Sequence, residues 1–110
     1  MAFDDDLARR VRAVLEDVPD VSERRMFGGI AFLVGGHMAC GIVGADLMLR
    51  LGEIGAQAAL DRRHVRPMDF TGRPMRTMVY IAAEAIVADR TLTEWVARAV
   101  DHARALPPKT

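Results

Sequence analysis

Apolar residues recur at helical spacing near the amino terminus of the chain. Arginines and a glutamate occupy positions between the members of this apolar set, which comprises Phe3, Leu7, Val11, Val14, Leu15 and Val18. This period is typical of an amphipathic helix that buries one face. Asp4, Asp5 and Asp6 lie at its start, where a carboxylate can cap free backbone N–H groups and complement the helix dipole. The pattern therefore predicts a first helix that ends before Pro19.

The period changes to two between Arg24 and Leu51. Apolar residues alternate there in three runs, which are Ile30, Phe32 and Val34, then Met38, Cys40 and Ile42, then Leu47, Leu49 and Leu51. Alternation of this kind predicts strands with one buried face. Because Gly35-Gly36 suits a two-residue turn and a slightly longer turn follows at 44–46, we expect an antiparallel meander.

A second helix, two further strands and a last helix complete the predicted order. The short helix spans 53–63 and turns Ile54 and Ala58 inward, the strands span 65–70 and 75–82, and the last helix begins at the capping box Thr91 to Glu94. The order α-βββ-α-ββ-α predicts an α+β fold in which helices pack on a five-stranded, mainly antiparallel sheet.

Composition narrows the class of protein. At 110 residues and 51% hydrophobic content, the chain is expected to form one domain over 1–110. Fifteen basic residues balance fifteen acidic ones, so the general basic excess of a nucleic-acid-binding domain is missing. The single Cys40 cannot form an intramolecular disulfide, and the acidic amino terminus does not resemble a signal peptide. We expect a soluble, cytoplasmic protein without a membrane segment.

The residues that could carry chemistry form no catalytic pattern. His37, His64 and His102 are scattered without ligand spacing, and Cys40 alternates with apolar residues as a buried thiol does. Ser22, the only serine, has no GxSxG setting, and phosphate-binding glycine loops are absent. The sequence predicts neither an enzyme nor a metal or cofactor site.

Two glycine motifs leave a structural and a functional interpretation open. Gly28 and Gly29 interrupt a strand-like run, which marks either a bend in the sheet or backbone that a partner approaches. Gly72, Arg73 and Pro74 form a stiff connection that presents a guanidinium either to a surface ion pair or to an anionic partner. If the two motifs are adjacent, they suit a carboxylate or a phosphate on a partner.

The local clusters of basic residues and the methionines in the strands can each be interpreted in two ways, one structural and one functional. The basic residues of interest are Arg24 and Arg25, and then Arg62, Arg63 and Arg66. They are either solvated surface or weak, salt-sensitive contacts to nucleic acid, and no aromatic residues interleave with them to stack bases. The six internal methionines in or beside the strands either fill gaps in the core or form an adaptable partner-binding face.

The motifs together resemble the N-terminal domain of the TfoX/Sxy family. The residues that carry the resemblance are Met26-Phe27-Gly28-Gly29, Phe32, Gly36, Met38, Gly41, Leu47, Leu49, Arg50, Gly72-Arg73-Pro74-Met75, Tyr80, Leu92 and Trp95. The resemblance covers nearly the whole chain. It implies an α-βββ-α-ββ-α fold similar to that of secretion chaperones, in agreement with the order predicted from periodicity.

The resemblance also implies a regulatory function. Founding members regulate natural competence genes together with the cyclic-AMP receptor protein, and they carry a C-terminal helical domain that this chain, ending at Thr110, lacks. The leading hypothesis is a stand-alone, non-enzymatic regulatory domain that contacts proteins, among them the transcription machinery. The alternatives are a nucleic-acid-binding accessory protein and a small-ligand-binding domain. Unprotected sheet edges and methionine-rich strands further suggest a homodimer.

Overall fold

The structure is a computed structural model that describes residues 3–26, 28–70 and 73–107. Three helices and six strands follow one another along the chain. Their bounds are α1 Asp5–Val14, β1 Val21–Met26, β2 Gly29–Val34, β3 His37–Val43, β4 Asp46–Arg50, α2 Gly52–Ala59, β5 Val65–Phe70, β6 Arg73–Ile81 and α3 Asp89–Ala105, with a 3₁₀ turn at Ala83–Ala85 before α3.

The strands form one antiparallel sheet in the order β1-β2-β3-β4-β6-β5. The predicted α+β class is therefore confirmed, but the predicted count of five strands is wrong by one. The strand that the sequence analysis omitted is β1, whose four inner residues are exposed, so that apolar alternation does not mark it. Gly28 and Gly29 consequently do not interrupt a strand: Gly28 lies between β1 and β2, and Gly29 begins β2.

All three helices pack on the same face of the sheet. Every buried residue of α1, α2 and α3 belongs to one hydrophobic cluster, which the sheet completes with residues such as Phe32, Ile42 and Leu49. A second, smaller cluster on the opposite face consists of Met48, Met68 and Met78. These three methionines are buried, as the gap-filling interpretation expects.

The beginning of α1 agrees with the sequence, whereas α1 ends at Val14, earlier than its apolar pattern predicts, and the bounds of α2 and α3 also differ. The Asp4 carboxylate caps α1, with Oδ1 accepting from the N–H groups of Asp6 and Leu7 at 2.9 and 3.1 Å. The α3 helix begins at Asp89 after an Ala88 N-cap that offers no side-chain bond, so the N-cap predicted at Thr91 is three residues late. The α2 helix ends at Ala59, four residues before its predicted end.

No helix in the described part of the chain combines the length and the apolar composition that crossing a bilayer requires.

Candidate functional site

A groove lies between α2 and α3 on the outside of the helix layer. Its volume is about 260 Å³, and its lining residues are Leu51, Gly55, Ala58, Ala59 and Arg98. Small residues from α2 form most of the floor, and Arg98 of α3 supplies the charged wall. We call these five residues the α2–α3 groove; Ile54 precedes Gly55 and lies one helical turn before Ala58, at the margin of this groove.

Ile54 points away from the core, with 88% of its surface exposed. The sequence-based expectation that Ile54 and Ala58 face inward is wrong, because α2 buries Ala56 and Ala59 instead. Successive helical residues are rotated by about 100°, so Ile54 lies about 200° around the helix from Ala56. A large aliphatic side chain therefore stands in solvent on the same helix that forms the floor of the groove.

Two arginines flank the indole of Trp95 at the α3 side of the groove. Their Cζ atoms lie 5.2 Å (Arg62) and 5.1 Å (Arg98) from the ring centroid, within the range of cation–π attraction. Neither arginine forms an ion pair with any residue that the structure describes. The stacking thus holds two positive charges beside an apolar floor.

The two glycine motifs predicted as one surface lie at opposite ends of the sheet. Gly28, with φ +73°, belongs to the β1–β2 connection, and a Cβ there would meet nothing within 4 Å. Arg73 and Pro74 begin β6, while Gly72 lies outside the described residues. The end of β6 at Ile81, rather than its beginning, shares a sheet end with Gly28. The structure does not bring the motifs together.

Gly29 is needed by the sheet itself. A Cβ on Gly29 would overlap the backbone carbonyl of Ile42 in β3, too close for any side chain. The close backbone approach expected at this position is therefore made by the neighbouring strand.

The predicted basic residues are dispersed over the molecule. Arg24 and Arg25 lie on β1, Arg62 and Arg63 follow α2, and Arg66 lies on β5 at the other edge of the sheet. The Arg66 guanidinium pairs with the Asp46 carboxylate and stacks at 4.8 Å over Tyr80. Arg62 therefore lies near the α2–α3 groove through its contact with Trp95, whereas the β1 arginines and Arg66 lie at opposite edges of the sheet.

Cys40 and the acidic and histidine side chains do not assemble into a reactive centre in the part of the chain described. Cys40 is fully buried in β3, and burial raises the pKa of its thiol to about 12. Within residues 3–26, 28–70 and 73–107, no three His, Cys, Asp or Glu side chains lie close enough together to hold a metal ion.

Sequence reasoning missed two features of this surface. The exposure of Ile54 was missed because α2 has two apolar pairs at helical spacing, Ile54 with Ala58 and Ala56 with Ala59, and only the second is buried. The stacking of Arg62 on Trp95 joins a loop to a helix more than thirty residues later, and no local pattern marks such a contact.

Comparison with protein families gives a match over most of the chain. The family model described as the TfoX N-terminal domain matches residues 13–103. That range includes all residues of the α2–α3 groove. Searches of curated proteins and of solved structures found no match.

Proposed function

Because the chain belongs to the TfoX N-terminal domain family, as its motifs predict, we propose that it is a non-enzymatic regulatory domain acting through protein contacts at the α2–α3 groove. The observation that carries this proposal is the exposed Ile54 at the margin of an apolar groove. Burying an isoleucine side chain stabilises a protein by about 1.5–3 kcal/mol. A partner that covers Ile54 gains this contribution on binding.

The size of the groove favours a side chain of another protein as its occupant. A volume of about 260 Å³ lies below the roughly 300–1,000 Å³ of typical small-molecule sites. One or two aliphatic side chains from an amphipathic helix fit such a space. At this groove, the comparison supports a protein contact over a small ligand.

The charges beside the groove indicate the polarity of that partner. Arg98 and Arg62 lie over the Trp95 ring and form no ion pair with a residue that the structure describes, so their N–H groups are available for carboxylates. We therefore expect the partner segment to be apolar on the face that covers Ile54 and to carry an Asp or Glu at its margin. In line with the role of founding family members, the proposed partner belongs to the transcription machinery.

Affinity purification from the native cell tests the proposed function. Tagged wild-type protein, Ile54→Asp and the matched control Gln57→Asp are each purified from nuclease-treated lysate. Both substituted positions are exposed on α2, so each change is expected to shift stability by about 0.5 kcal/mol or less. The wild type and Gln57→Asp should recover the same identified transcription protein, and Ile54→Asp should recover at least tenfold less.

Two results would contradict the proposal. The first is recovery that disappears when nucleic acid is digested, which would favour the nucleic-acid-binding alternative. The second is equal recovery by folded Ile54→Asp and wild type.

A further inference from the structure

The two outer strands of the sheet differ in how they are protected from pairing with another chain. The β5 strand contains Pro67, which has no N–H group, and its pairing with β6 shifts register between Pro67 and Met68. Proline and bulges block the backbone of an edge strand, whereas charged side chains such as those of Glu23, Arg24 and Arg25 on β1 restrict which partner can pair with it. The β1 strand has neither: it contains no proline and pairs with β2 through six residues without a shift. The accessible edge is therefore β1.

The hydrogen bond beside β1 shows which backbone groups face outward. The Gly35 N–H donates to the Asp20 carbonyl at 3.0 Å, in line with the β1–β2 register. In an antiparallel pair, such bonds recur at every second residue. Even-numbered residues of β1 therefore bond to β2, and Val21, Glu23 and Arg25 direct their N–H and C=O groups away from it. These groups form the template for one more strand.

The charges along β1 are unequally neutralised. Glu23 accepts two hydrogen bonds of 2.8 Å from Arg12, which also hold the pKa of the Glu23 carboxyl below its usual value. Arg24 and Arg25 are exposed and form no ion pair with a residue in the described ranges, although Arg25 stacks at 5.4 Å over Phe3. Successive side chains point to opposite faces of a strand, so one unpaired guanidinium flanks each face of this edge.

We propose that the free edge of β1 binds an extended segment of a partner protein that carries two consecutive acidic residues. The segment adds to the sheet as a seventh strand, bonding to the outward groups of Val21, Glu23 and Arg25. Its two carboxylates lie opposite Arg24 and Arg25, one on each face. This interaction uses a different surface from the α2–α3 groove and does not depend on the function proposed there.

The charge pattern disfavours a second copy of the chain at this edge. Two copies related by a two-fold axis pair their outward-facing residues with each other. The two registers with the fullest overlap place Glu23 opposite Glu23 of the second copy, or Arg24 opposite Arg24 with Arg25 opposite Glu23. Neither register gives both Arg24 and Arg25 an opposite charge, as an acidic segment does. Like charges directly opposite each other destabilise a strand pair. An acidic partner segment meets neither repulsion.

Amide hydrogen exchange followed by NMR tests the proposal residue by residue. The probe is a ten-residue peptide in which threonines and valines flank two central glutamates, and the matched control peptide has two central lysines. With the glutamate peptide, exchange at Val21, Glu23 and Arg25 should slow at least tenfold, while Ser22 and Arg24 change little. Unaltered exchange at the three outward amides, or equal slowing by both peptides, would overturn the proposal.

A pair of double variants tests the contribution of charge. Arg24→Ala with Arg25→Ala should weaken binding of the glutamate peptide about tenfold, since two exposed ion pairs are lost. Arg63→Ala with Arg90→Ala removes the same charge at two exposed positions away from β1 and should change affinity less than twofold. Equal weakening by both double variants would show non-specific attraction and overturn the proposal.

Two further measurements separate strand addition at β1 from pairing between copies and from binding at the α2–α3 groove. The first is made on the protein without peptide. If the three outward amides already exchange slowly and light scattering gives twice the 12.1 kDa monomer mass, two copies pair at this edge and the proposal is overturned. The Ile54→Asp variant should bind the glutamate peptide as the wild type does. Failure at the α2–α3 groove and failure at β1 are therefore distinguishable.

Discussion

Arg10 joins α1 to the start of α3 through Asp89, with 3.1 Å between the Arg10 Nε and the Asp89 Oδ1. The same guanidinium donates from Nη2 to the carbonyl oxygens of Ile86 and Val87 at 2.7 and 3.1 Å. The Arg10 side chain is 19% exposed and that of Asp89 is 88% exposed. The bonds to the two carbonyls, rather than the exposed ion pair, are therefore expected to contribute most of the stabilisation.

Replacing Arg10 and Asp89 separately tests how much the carbonyl hydrogen bonds and the ion pair each contribute to stability. Arg10→Ala should lower the free energy of unfolding by about 1–3 kcal/mol, because it removes three hydrogen bonds from a partly buried group. Asp89→Ala should cost about 0–1 kcal/mol. Urea denaturation gives both values, and Arg9→Ala is the control, since the Arg9–Asp6 pair is exposed on both sides. Equal losses for Arg10→Ala and Arg9→Ala would contradict the assignment.

The backbone at Gly52 is expected to resist substitution more than that at Gly28. Both residues have positive φ angles, +78° and +73°, so alanine at either position brings a strain of about 1–2 kcal/mol. A Cβ at Gly52 would also lie 2.7 Å from Cε1 of His102, whereas Gly28 has open space. Thermal unfolding should show the larger loss for Gly52→Ala, and combining it with His102→Ala should recover part of that loss. A smaller loss for Gly52→Ala would refute the contact.

Stability should fall as the pH falls through about 6.5, the ordinary pKa of histidine. Burial lowers the pKa of His102, and the nearby Arg50 and His37 lower it further. The unfolded chain therefore binds more protons than the folded chain below pH 6.5, and stability is lost until the folded pKa is also passed. The midpoint of urea unfolding should decrease as the pH is lowered from 8 to 5.5. The decrease should be smaller for His102→Gln. An identical slope for this variant would exclude His102 as the source.

Cys40 should be unreactive until the protein unfolds. Its pKa of about 12 leaves almost no thiolate at neutral pH, and the residue is fully buried. A thiol-specific maleimide should label the protein only at urea concentrations that unfold it. Cys40→Ser should cost about 1–3 kcal/mol because a hydroxyl is buried in an apolar cluster, and Cys40→Ala should cost less. Rapid labelling of the folded protein would contradict this account.

Local patterns predicted the elements in which apolar residues recur at a regular helical or strand period. The α1 helix and its Asp4 cap follow from adjacent residues, and so do the alternating strands β2, β3 and β4. The β1 strand escaped prediction because an edge strand with an exposed interior from Ser22 to Arg25 has no apolar alternation. This segment is a strand because it pairs with β2, and no local pattern in the sequence indicates that pairing.

The candidate site was less accessible to sequence reasoning than the fold. Separation of Gly28 from Arg73 follows from the order β4-β6-β5, which is set by contacts between distant parts of the chain. The inward face of α2 is ambiguous in the sequence, because Ile54 and Ala58 at i, i+4 and Ala56 and Ala59 at i, i+3 are both apolar pairs, and packing on the sheet selects the second pair. Arg62 was predicted as a basic residue, but its stacking on Trp95 required the packing of α2 beside α3.

Transcript profiling in the native cell tests most directly the claim that this domain regulates through the α2–α3 groove. A strain lacking the protein is complemented with wild type, Ile54→Asp or Gln57→Asp at equal abundance. The account predicts that Ile54→Asp gives the transcript profile of the deletion strain, while Gln57→Asp restores the wild-type profile. A wild-type profile in cells that contain folded Ile54→Asp would contradict it.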